Sequence, residues 1–157
     1  MPLGPALPET SLALDNDVFT HWRNGQVYVL REITEHFKRL KSVPALTSMT
    51  IFEALKGVED EERKNKITTE QAQQYKNRIK ELSESCAVLP FEQKAAAIAA
   101  YIYPRLTGQQ LQKHWRDLFI AATAAAHGYG IATQNERDFK LIADLLPDIL
   151  RVAVWKP

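Results

Sequence analysis

Short, continuously apolar runs along this chain are separated by longer stretches in which apolar residues recur every three or four positions. The first pattern reads as strands buried on both faces, the second as amphipathic helices. Strands are predicted at 11–14, 43–48, 87–90, 130–133 and 151–155. Helices are predicted at 18–25, 27–41, from Thr50 through Gly57, and at 68–85, 91–106, 115–127 and 136–146. In 27–41, Leu30, Ile33, Phe37 and Leu40 share one face. In 68–85, Ala72, Tyr75, Ile79 and Leu82 form the stripe, and Thr68 with Gln71 has capping-box spacing. The breakers agree with these bounds: Asn24-Gly25, Thr107-Gly108 and Gly128 each close a helix, and Pro147 stops the last. The charged run 59–66 reads as a solvated helix end or loop. Phe19 and Trp22 read as core residues, with partner binding or base stacking as the alternative, and Tyr101 and Tyr103 as packing residues.

Strands that alternate with helices in this way predict a parallel sheet covered on both faces, a doubly wound α/β domain. The Pro-rich residues 1–10 read as a flexible tail and 11–157 as one domain, without internal repeats. Ligands of such sheets sit outside the carboxyl ends of the strands, at the point where strand order reverses.

Composition narrows the function classes. With 45% hydrophobic and 25% charged residues the chain is globular, which removes disorder from consideration. Its one cysteine, Cys86, forms no internal disulfide or cysteine-based zinc cage and suits a reducing cytoplasm. The opening MPLGPALPET has no basic or long apolar segment, so no signal peptide is expected. No apolar run approaches the ~20 residues of a membrane span. The net charge of +1 is too small for a protein that holds nucleic acid by phosphate neutralisation alone. A site for such a substrate would need positive charge from elsewhere, and bound metal ions are one source.

The candidate chemistry is acidic. Asp15 falls at the carboxyl end of the first strand, and Thr133 and Asn135 at the end of the fourth. A reversal of strand order between these two would bring them together. Asp138 is expected in the first turn of the following helix, Asp117 near the start of the Ala-rich helix, and Glu53 in the first turn of its own. Each acid has a structural reading as well. Thr50-x-x-Glu53 has capping-box spacing, Asp117 and Asp138 would favour a helix dipole, and Asp15 suits an Asx turn. As a set, the four carboxylates suit magnesium, which takes near-octahedral oxygen ligands at about 2.0–2.1 Å. Two such ions about 3.5–4 Å apart can stabilise a phosphoryl displacement. Arg116 reads as a solvated helix-start residue or an RNA phosphate contact, and His114 as a surface residue.

The strings LALDNDVF (12–19), TSMTIFEALKG (47–57), HWRDLFIAATAAAHG (114–128) and IATQNERDF (131–139) resemble the four signature blocks of PIN-domain proteins. In order and spacing they look most like the VapC toxins of prokaryotic toxin–antitoxin pairs. VLPFEQKAAAIAAYIYPRL (88–106) and the terminal Val154-Trp155 extend the likeness over nearly the whole chain. The resemblance implies an α/β/α sandwich with a five-stranded parallel sheet. It implies a magnesium- or manganese-dependent endoribonuclease in which Asp15, Glu53, Asp117 and Asp138 bind metal, Thr133 and Asn135 support them, and a metal-activated water attacks an RNA phosphodiester. It further implies an antitoxin partner and a homodimer. In two places the sequence departs from the pattern. Asn16 and Asp17 stand where the family usually has Thr or Ser and then Asn, so Asp17 is either a helix cap or supporting group or an added carboxylate. Asn135 replaces an acid found in some relatives, which shifts the fourth charge to Asp138.

Two other readings compete. LALDNDVF also resembles the first motif of haloacid-dehalogenase-type phosphatases, with Asp15 as nucleophile and Asp17 as acid/base. A non-catalytic PIN-like module that binds RNA or protein is the other.

Overall fold

A computed structural model describes residues 10–157. The tail expected at 1–10 falls, but for Thr10, outside them. The elements alternate as expected: β1 (Leu12–Leu14), α1 (Asn16–Arg23), α2 (Val27–Leu40), β2 (Leu46–Thr47), α3 (Ser48–Arg63), α4 (Thr69–Glu84), β3 (Val88–Leu89), α5 (Gln93–Ile102), α6 (Gly108–Ala126), β4 (Gly130–Thr133), α7 (Glu136–Ala143) and β5 (Val152–Val154). Among the described residues no helix is long and apolar enough to cross a membrane.

All strand pairing is parallel, but the single five-stranded sheet expected from the sequence is divided. β1, β4 and β5 form one sheet in the order β1-β4-β5, and β2 and β3 form another. One bridge, Ala13 to Ala45, joins the two, through Leu14 N–H to Ala45 O and Ala45 N–H to Leu12 O, each 2.9 Å. The ladder stops there because the chain enters β2 through Pro44, which has no N–H to donate, and leaves it directly into α3.

Side chains alternate across the strands. Ala13 and Ile131 face a core built with α5, α6 and α7, and Leu12, Leu14 and Ala132 face one built with α1 to α4. Helices therefore cover both faces. Small residues of α6, Ala121, Ala122, Ala124 and Ala125, let that helix lie close on the first of these cores.

Several sequence expectations need correction. α2 buries Tyr28, Val29 and His36, and leaves Leu30 and Phe37 exposed. Tyr75, Tyr101 and Tyr103 are likewise exposed, whereas Phe19 and Trp22 are core residues. The charged run 59–66 is largely the end of α3, which continues to Arg63. α6 starts at Gly108, well before the expected Trp115, behind a complete capping box of Thr107 and Gln110.

Gly130 opens β4, the strand between β1 and β5. A Cβ there would meet Arg151 O at 2.8 Å and Leu12 Cδ2 at 3.0 Å. Gly130→Ala is expected to cost about 1–3 kcal/mol through overpacking, read as a lower midpoint in urea unfolding.

Candidate metal centre

β1 and β4 are neighbours although three helix–strand units separate them in sequence, so strand order reverses between them. The carboxyl ends of these two strands and of β2 define the site. Asp15, directly after β1, is 5% exposed. Its Oδ1 accepts from Val18 N–H (2.9 Å), which caps α1, and its Oδ2 accepts from the Thr133 hydroxyl. Thr133 Oγ1 accepts in turn from Asn135 N–H at 2.9 Å. Thr133 thus ties the end of β4 to the acid that follows β1.

Threonines also fix the neighbouring helix. Thr47 Oγ1 accepts from Thr50 N–H at 3.1 Å and caps α3, and the Thr50 hydroxyl donates to Leu14 O at 3.2 Å. The capping-box reading of Glu53 fails on this geometry. The cap is Thr47, and Glu53 lies six residues into α3, half-buried. Its Oε2 lies 3.8 Å from Arg116 Nε, so the arginine expected at a solvated helix start instead pairs with an acid of the centre.

Asp117 is not near a helix start. It lies ten residues into α6, where no helix dipole explains it. His114, one turn earlier, was expected at the surface. Its side chain is only 12% exposed, and its Nδ1 lies 3.1 Å from Asp117 Oδ2. Asp138 is in the first turn of α7, as expected, with its N–H donating to Asn135 O at 3.1 Å. Among the described residues, His114, Asp117 and Asp138 offer ligand atoms that all lie within 4.8 Å of one another.

Asp15 and Glu53 fall outside that group of ligand atoms, and what links them to it is charge. Burial pushes the Asp15 carboxyl up to about 7, with a further rise from the charges of Asp17 and Asp117. Burial and the charge of Asp117 raise Glu53 to about 7. Burial raises Asp117 to about 6, with Asp138 and Asp17 adding to the rise and His114 opposing it. Asp117 is therefore the hub within Coulombic reach of Asp15, Glu53 and Asp138. Asp17 is exposed at the rim, and since Asp15 caps α1 it adds charge to the centre without capping. Asn16 begins α1, and Asn135 occupies the cap position of α7 without a side-chain capping bond.

Sequence reasoning missed two contributors. His114 is one, and its three-residue spacing from Asp117 was the signal. Tyr28 of α2 is the other. Its hydroxyl meets His21 Nδ1, and burial followed by the charges of Asp15 and Asp17 raises its pKa. No local pattern places Tyr28 there, because the approach depends on how α2 packs across the sheet.

Desolvated, mutually repelling carboxylates with an imidazole beside them suit a divalent cation bound mainly through oxygen. His114 and Arg116 supply a hydrogen bond or charge beside two of the acids and offset them only in part.

Comparison with known proteins agrees with the fold. Residues 14–145 match the PIN domain family. None of the curated proteins matches this sequence. The fold is similar to VapBC2 from Rickettsia felis bound to a promoter DNA fragment, at TM-score 0.68 and 16% identity over 92% of this chain and 98% of that one. It is similar to DNA-bound VapBC from Salmonella typhimurium, at TM-score 0.67 and 18% identity over 94% and 99% of the two chains. It is also similar to VapBC-5 from Mycobacterium tuberculosis, a member of the VapBC family of toxin–antitoxin systems, at TM-score 0.55 and 22% identity over 92% and 98%.

Proposed function

Because this chain belongs to the PIN domain family, we propose that it is a divalent-metal-dependent endoribonuclease and the toxin of a VapBC-type toxin–antitoxin pair. The observation that carries this reading is the grouping of Asp117 and Asp138 with His114, with Asp15 and Glu53, from two further elements, within Coulombic reach of Asp117 and only partly offset by Arg116 and His114. Asp15, Glu53, Asp117 and Asp138 hold magnesium or manganese. When bound, the metal supplies the positive charge that activates water and steadies the leaving oxygen of a phosphodiester. It also answers how a chain of net charge +1 holds a polyanion at its acidic centre.

The chain's own residues do the positioning. Thr133 holds the Asp15 carboxylate by its hydroxyl, and Asn135 N–H holds Thr133. His114 orients Asp117 through Nδ1. Asn16, Asp17 and Asn135 form the polar rim, and Arg116, which pairs with Glu53 in the unbound chain, meets an RNA phosphate once released from it. The protein works in the cytoplasm, where a cognate antitoxin covers the centre, and the toxin acts as a homodimer.

The phosphatase alternative fits the geometry poorly. Glu53 and Asp117 would have no task beside an aspartyl nucleophile at Asp15.

The test is expression in a bacterial host, wild type beside Asp15→Asn, with growth and RNA integrity followed together. Asparagine still caps α1 through Oδ1, so the fold survives while a metal-binding charge is lost. Growth arrest and discrete RNA fragments are expected from the wild type alone. Undiminished cleavage by folded Asp15→Asn protein would sink the reading.

A further inference from the structure

Beside the acidic centre a groove of about 550 Å³ opens between α1, α3 and α4. That volume lies in the roughly 300–1,000 Å³ range of ligand sites. Asn16 and Arg23 line it from α1, Glu53 and Gly57 from α3, and Tyr75 and Arg78 from α4. Asn16 and Glu53 also border the centre, so the groove and the cleavage site are continuous.

Arg23 is its anomaly. Its guanidinium lies 4.8 Å from the Phe19 ring centroid, and its Nη2 donates to Thr20 Oγ1 at 3.1 Å. Its Nη1 is buried without a hydrogen-bond partner. Arg23 forms no ion pair among the described residues, so its charge is largely desolvated and uncompensated. Buried charges are ordinarily paired, and a buried polar atom without a partner calls for an explanation. Of the three such side-chain atoms among the described residues, two belong to this groove, Arg23 Nη1 and Asn16 Oδ1. No carboxylate among the described residues pairs with Arg23, although Glu53 and Glu61 share the lining, and an anion held in the groove would supply the charge it lacks. The lining is mixed in charge, with Glu53 and Glu61 beside the arginines; Tyr75, 47% exposed, can stack a base, and Arg78 adds a second guanidinium, the two features that suit single-stranded RNA.

We propose that this groove is an RNA subsite in which Arg23 receives the phosphate of a nucleotide flanking the scissile bond. The inference rests on the ribonuclease reading. Gly57 gives access, since a Cβ there would meet nothing within 4 Å, and a larger side chain would fill the groove without forcing the helix apart.

The test measures binding of a labelled single-stranded RNA oligonucleotide in magnesium, with all proteins carrying Asp15→Asn so that none cleaves. Arg23→Met and Gly57→Met are each expected to weaken the Kd about ten-fold. Arg23→Met also lowers the slope of log Kd against log salt by about 0.7, the share of one phosphate on a single strand. Melting temperature separates this role from a structural one. A structural arginine loses stability on substitution, whereas removal of an unpaired buried charge leaves the melting temperature unchanged or raised. Unchanged Kd and slope in both variants, against clear binding by the parent, would overturn the subsite and leave the nuclease reading standing. An Arg23-dependent affinity for polyglutamate without an Arg23-dependent affinity for RNA would also overturn it, by giving the groove to an acidic protein segment. RNA that neither binds the parent nor is cut by the wild type would remove the ribonuclease reading itself, and the subsite with it.

Discussion

Asp117→Asn is expected to lower metal-dependent RNA cleavage by at least about 10³-fold and, in the same protein, to raise the melting temperature of the metal-free state. The two effects share one cause. The Asp117 charge raises the pKa of both Asp15 and Glu53, and it is itself raised by Asp138 and Asp17. A carboxamide keeps the shape, and its Oδ1 can still accept from His114. It removes the charge that couples the others, so metal loses a ligand and the empty site loses its repulsion. Activity and stability then move in opposite directions, as in sites strained for function. An Asp117 that merely stabilised its helix would do the reverse: the substitution would lower the melting temperature and spare cleavage. Thermal melts in chelator beside a cleavage assay decide between them.

The same charges predict how metal and protons compete. Asp15, Glu53 and Asp117 stand at about 7, 7 and 6, above ordinary values of 3.8, 4.5 and 3.8. Between about pH 4 and pH 7 the metal-free folded state therefore holds more protons than the unfolded chain. Stability contributed by these groups is present at low pH and lost as pH rises through that window. Metal must displace those protons, so its affinity climbs over the same range. Magnesium or manganese at a hundred times its dissociation constant contributes about 2.7 kcal/mol, or roughly 5–10 °C of melting temperature for a chain of this size. The gain is expected in full at pH 8 and largely lost at pH 5. No gain at pH 8 would leave the non-catalytic RNA- or protein-binding module as the better reading.

How far the sequence discloses this centre varies by residue. Strand order around Asp15 and Thr133 is legible because buried strands and their breakers are local signals. Glu53 was expected in a first helical turn, with a capping box at Thr50 as its structural reading, and it lies deeper in α3 than that. Thr47 and Thr50 both offer a hydroxyl, and only packing against Leu14 O decides which one caps α3. The first turns of α6 were hidden because Gly108-Gln109-Gln110 carries no apolar period. The Thr107…Gln110 box marked the start just as Thr68…Gln71 marked that of α4. With that start recognised, Asp117 leaves the first turn and His114 falls on its face. The α2 stripe misled differently. Periodicity located an apolar face at Leu30 and Phe37, but the fold turns Tyr28, Val29 and His36 inward. Periodicity reports that an apolar face exists, and tertiary packing decides which neighbours cover it.

The divided sheet also bears on cooperativity. Asp15, Asp117, Thr133 and Asp138 belong to the half built on β1, β4 and β5, whereas Glu53 rides on α3, launched from β2. Along the backbone, two hydrogen bonds at the Ala13–Ala45 bridge hold that seam, with the Thr50 hydroxyl on Leu14 O as a third tie. Such a boundary is where a domain opens below its global unfolding free energy, so the amide of Ala45 should exchange with solvent sooner than that of Ile131. Glu53 is then carried by a separately opening unit, and loosening the seam is expected to disperse the acidic cluster while every acidic residue remains in the chain.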